Sequence, residues 1–167
     1  MIAQIAFFAS IAFGMVAWSL YAGLYAWPQL RARSRTDALR PLLVLHSFRF
    51  VGLSFIVPGV VASDIPQAFA RAAAYGDIAT AVLALLALLA LRSRLGIALA
   101  WIVNVWGAAD LVNAFYLAQA TGLSPSQLGA AFYIPTFVVP LLFVTHFLMF
   151  RTLFRSGDSA LERPVLS

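Results

Sequence analysis

The sequence predicts an all-α polytopic membrane protein with five transmembrane helices, and three observations predict it. Hydrophobic residues make up 63% of the 167-residue chain and charged residues 10%, against about 45–50% and about 25% in soluble domains. The mean hydropathy is +0.93. The apolar residues also fall into five blocks, each close to the roughly 20 residues that a hydrocarbon layer about 30 Å thick requires. Residues 1–155 read as a single five-helix domain, and Ser156 to Ser167 as a polar cytoplasmic tail.

The first span runs from about Ile2 to Trp27 and closes on Tyr21, Tyr25 and Trp27, an interfacial aromatic belt before Pro28. The second runs from about Pro41 to Val61, with proline in the opening turn, where its missing N–H costs nothing. The third, Ala72 to Leu91, is mostly alanine and leucine, a composition that lets helices approach closely. The fourth covers Leu95 to Ala118. The fifth covers Leu128 to Phe154 and should kink at Pro135 and Pro140.

Orientation follows from the arginines. Nine of the eleven, Arg31, Arg33, Arg35, Arg40, Arg92, Arg94, Arg151, Arg155 and Arg163, fall in the connections after the first and third spans and around the C-terminus. Positive charge accumulates on the cytoplasmic side, so the N-terminus is expected outside and the C-terminus inside. The first span lacks a basic n-region and exceeds the about 7–15 residues of a secretory h-region, so it is expected to be retained. Helical spans suit a bacterial inner membrane rather than an outer-membrane barrel.

Composition also excludes chemistry. There is no cysteine, hence no disulfide, thiolate metal site or iron–sulfur cluster. There is no lysine, hence no Schiff base to retinal or pyridoxal phosphate. The charge of +5 belongs to arginines beside apolar spans and argues for lipid rather than nucleic acid. Phosphate loops, dinucleotide fingerprints, HExxH and GxSxG are all missing. A hydrolytic triad is disfavoured, because the aspartates are expected on the opposite side of the membrane from the histidines.

Ionisable side chains in hydrocarbon cost about 2.5–3.5 kcal/mol each even on lenient scales and require a reason. They are His46 and Arg49 on the second span, Asp77 on the third, Asp110 on the fourth and His146 on the fifth, with Asn104 and Asn113 beside them. His46 and His146, the only histidines, lie at similar depth by distance from Arg40 and Arg151. Two imidazoles at one level on facing helices would suit bis-histidine ligation of haem b, with iron held by His46 and His146 and Arg49 offsetting propionate charge. Interhelical hydrogen bonding by the same histidines is the plainer alternative.

Arg49 shares a helix face with His46 and is too deep to reach the cytoplasm. A network of Arg49, Asn104 and Asp110 is expected, with Asn113 on the Asp110 face and Asn104 the better match in depth. Asp77, placed near the outer end of its helix, reads as a cap at least as readily as a functional group.

The strings LHSFRFVGLSF at Leu45 to Phe55 and AYGDIATAVLALLALLALR at Ala74 to Arg92 resemble a family of small multi-helix inner-membrane proteins of bacteria without an assigned function. The resemblance carries no site with it. Three functions are therefore weighed: a b-type haem electron carrier or sensor, a small proton-coupled carrier in which His46, Arg49, Asp110 and Asp77 form a polar file with the Arg/Asp/Asn network, and a structural accessory subunit. The expected partners are membrane lipids, with a homodimer or a larger membrane complex open.

Overall fold

The structure, a computed structural model, describes residues 2–155, so the expected tail Ser156 to Ser167 lies outside the described residues. Five helices are long and apolar enough to cross a membrane: α1 Ile2–Arg31, α2 Arg35–Ile56, α3 Gln67–Leu89, α4 Arg94–Ala120 and α5 Ile134–Leu153. Among the described residues there is no β-strand, only an isolated bridge between Pro58 and Val61.

Serines set two of the starts. Ser34 caps α2 by accepting from the Asp37 N–H at 3.2 Å, and Ser93 caps α4 by accepting from Gly96 at 3.2 Å. The Ser34 cap corrects the expected start at Pro41, which instead lies inside α2. Proline there removes one rung of the ladder rather than occupying the opening turn. From Phe48 to Ile56, α2 tightens into nine residues of 3-10 helix, well beyond the usual three or four. The fifth span is also shorter than expected. A separate 3-10 stretch, Pro125–Phe132, breaks at Gly129 with φ 52° before α5 begins.

Two π-helical turns share one cause. Ala22–Ala26 precedes Pro28, and Ile134–Val138 precedes Pro140. In each case the proline cannot donate to the carbonyl four residues back, and the ladder widens there. In α5 the loosened carbonyls serve packing. The Trp18 indole donates to the Phe137 carbonyl at 3.1 Å, and the Thr136 carbonyl sits where a Cβ on Gly14 would be 2.8 Å away.

Helices α2, α3, α4 and α5 form the bundle, with α3 against both α2 and α4, and α5 touching α2 and α4. Helix α1 lies outside this group, against α5. Two apolar layers close the bundle. One, including Leu39, Leu43, Ala84, Val103 and Met149, fills the arginine-rich half. The other, including Phe55, Phe69, Leu128 and Ile134, fills the opposite end.

Candidate functional site

Between these layers lies a polar one. Arg49, 1% exposed, enters it from the 3-10 part of α2. Its Nε donates to Asp77 Oδ1 at 2.6 Å and its Nη2 to Asp110 Oδ2 at 2.7 Å. Its Nη1 donates to the Gly107 carbonyl at 3.0 Å and faces His146 Nε2 at 3.4 Å. One guanidinium thus ties together α2, α3, α4 and α5. Charge-assisted bonds in a low-dielectric interior are strong, and removing one partner would expose the full cost of burying the others.

Three glycines seat these side chains in a cycle. A Cβ on Gly52 of α2 would fall 2.6 Å from the Asp77 carboxyl carbon. One on Gly76 of α3 would fall 2.7 Å from Asp110 Oδ2, and one on Gly107 of α4 would fall 2.8 Å from Arg49 Nη1. Each of the three helices therefore contributes one charge and one glycine that receives the charge of another. The seats were missed in the sequence because which group a glycine faces depends on helix order.

The histidines complete the layer. His146 Nδ1 lies 2.8 Å from the Asn104 side chain. With Oδ1 toward the ring, Nδ1 carries the proton and Nε2 accepts from Arg49. With the amide turned over, Asn104 donates to Nδ1 and to the His146 carbonyl at 3.2 Å and accepts from Phe150 at 3.3 Å. Amide orientation and ring tautomer are coupled. His46 Nε2 meets Thr145 Oγ1 at 3.3 Å, a partner not anticipated from sequence, and His46 Nδ1 is buried without a partner.

Residues 6–154 match the family model described as domain of unknown function DUF8737. The chain belongs to the DUF8737 family. No curated protein and no solved structure matches it.

Several expectations for this DUF8737 chain are corrected by the geometry. Asp77 is not a cap: α3 begins at Gln67, ten residues earlier, and the carboxylate binds Arg49. Arg49 reaches Asp110 directly, and Asn104 touches His146 rather than Arg49. Asn113 is exposed and outside the cluster.

Helices α2 and α5 are neighbours, as bis-histidine ligation requires, but the two imidazoles lie against one another in a tilted pair with centroids 4.2 Å apart and planes at 41°. Bis-histidine ligation points a ring nitrogen of each imidazole end-on at one iron, about 2 Å from it on opposite sides of the macrocycle, whereas these two rings lie against each other with no room for a macrocycle between them. Both Nε2 atoms already face protein groups, and Arg49 has its fork filled by carboxylates. The residues as placed do not fit haem b. Among the described residues no group of three or more His, Asp or Glu could hold a metal ion.

Proposed function

We propose that this protein is a small proton-coupled carrier of the bacterial inner membrane, N-terminus outside, whose coupling site is the Arg49 cluster. The observation that supports this reading is the charge count: one guanidinium faces two carboxylates, leaving one negative charge in excess in the middle of an apolar bundle. Low dielectric disfavours a net charge, so the layer invites one mobile positive charge, most simply a proton. Protonating either carboxylate frees one arm of the guanidinium and loosens α3 or α4 from α2. The His146 tautomer pair and the adjoining His46 ring extend the polar file toward the arginine-rich end. The apolar layers on both sides would act as its gates.

Infrared spectroscopy of the protein in lipid films tests this directly. On acidification a carboxylic acid C=O band should appear in the wild type and be lost or displaced in Asp77→Asn or Asp110→Asn. If the wild-type and variant difference spectra coincide while the protein stays folded, no proton enters the cluster and the reading fails. The interlocking glycine seats favour a second reading, a structural subunit in which the cluster only fixes helix order. That reading predicts no titrating band and co-purification with a larger complex.

A further inference from the structure

On the arginine-rich half of the molecule, α1 and α5 stand apart along a cleft of about 300 Å³. One wall is Met15, Ser19, Gly23 and Trp27 of α1, a stripe at four-residue intervals. The other is Phe143, Phe147 and Arg151 of α5 at the same interval. The π turn Ala22–Ala26 interrupts α1 within this stripe, and a Cβ on Gly23 would meet nothing within 4 Å, so the middle of the wall is open.

The Arg151 guanidinium closes the end, its carbon 4.0 Å from the Trp27 ring centroid and 5.9 Å from that of Phe147. A guanidinium held over an aromatic ring has no acceptor in that ring plane to occupy its five N–H donors, which are left for an anion. Among the described residues, Arg151 has no carboxylate partner. Other arginines gather nearby: Arg155 donates to the Leu30 and Arg33 carbonyls, and Arg35 to the Arg155 carbonyl.

We propose that this cleft holds one acyl chain of an anionic phospholipid, with the phosphate on Arg151. Length, polarity and charge each point to that occupant. From Met15 to Trp27 the α1 wall spans about 18 Å at 1.5 Å per residue, close to the roughly 15 Å depth of one leaflet's hydrocarbon. The walls are apolar and aromatic along their length, with Ser19 the only hydroxyl. The cation stands at one end, level with an interfacial tryptophan, where a headgroup would lie. Anionic lipid is attracted to arginine at that surface, whereas a free phosphate would leave the long apolar cleft unfilled. The inference does not depend on the carrier reading, since it uses none of the Arg49 cluster.

Native mass spectrometry of the full chain, in detergent containing equal phosphatidylglycerol and phosphatidylcholine of identical chains, tests it. The wild type should retain phosphatidylglycerol preferentially. Arg151→Gln should cut that preference about fivefold, the worth of one interfacial charge, and Arg92→Gln, outside the cleft, should leave it unchanged. Gly23→Leu places its Cβ in open space, and by filling the cleft it should reduce retention of both lipids. A wild type without headgroup preference, or retention unchanged in both Arg151→Gln and Gly23→Leu, overturns the proposal. Preference lost equally in Arg92→Gln would mean diffuse surface charge and overturns it too. Inorganic phosphate added in excess should not displace the lipid; displacement would point to a simple anion site instead.

Discussion

Gly52 and Asp77 are so closely opposed that one added carbon on the glycine would lie 2.6 Å from the carboxyl carbon. Overpacking of this kind usually costs about 1–3 kcal/mol, and here it also pushes on an ion pair. Gly52→Ala, Gly76→Ala and Gly107→Ala should each lower the thermal midpoint in detergent by several degrees. Gly23→Ala, with open space around it, should leave the midpoint within the noise or raise it slightly. Equal effects at all four positions would show that the seats do not matter.

Arg49→Ala strands two carboxylates in the bundle. Breaking a buried pair by removing one partner costs about 3–5 kcal/mol, so this variant should express poorly or unfold early. Combining it with Asp77→Asn and Asp110→Asn should recover much of the loss, since no lone charge is left. Arg49→Lys should not substitute, because a single ammonium cannot present separate N–H groups to carboxylates on two helices and to the Gly107 carbonyl. Thermal unfolding of the four proteins in one detergent checks the series, and a triple variant no better than Arg49→Ala would refute it.

The close imidazole pair makes a spectroscopic prediction. Protein purified from cells supplied with haem should show no Soret band, as isolated or after dithionite reduction. A sharp band abolished by His46→Ala and by His146→Ala would mean that the rings separate to admit a porphyrin.

His46 itself should be replaceable. Its Nδ1 is buried and unbonded, and exchanging such a group for an apolar ring of similar shape is often neutral or stabilising. His46→Phe should therefore match or exceed the wild type in thermal stability. His146→Phe, which removes contacts to both Asn104 and Arg49, should lose about 1–3 kcal/mol. The reverse ranking would show that the partner assignments are wrong.

The five spans were legible because their apolar runs are long and their loops short, and family membership agrees with the resemblance read around His46, Arg49 and Asp77. Depth was harder, for reasons that lie in particular residues. Starting the third span at Ala72 put Asp77 near the outer end of the helix, whereas α3 begins at Gln67 and carries it to the middle. A count from Arg40, the last arginine before it, makes Arg49 too shallow. Helix α2 begins at Arg35, and past Phe48 it rises about 2.0 Å per residue rather than 1.5 Å. That places Arg49 about 21 Å in, near the about 24 Å of Asp110 along α4. The His46–Thr145 contact and the glycine seats left no periodic signal, because they exist only between helices.

The arrangement around Arg49 also has a timetable. Arg49 and Asp77 are 28 residues apart, and Asp110 follows 61 residues after Arg49. On a ribosome adding about 5–20 residues per second, the first carboxylate emerges roughly one and a half to six seconds after the arginine. Until then the second segment is an apolar helix with an unmatched cation. Insertion as a hairpin with the third segment is the expected route, and glycosylation mapping of nascent chains ending before and after Asp77 would reveal it as a change in the membrane-inserted fraction. The glycine at position 52 then has a temporal role as well: it leaves a docking notch ready on the older helix for the side chain that is synthesised next.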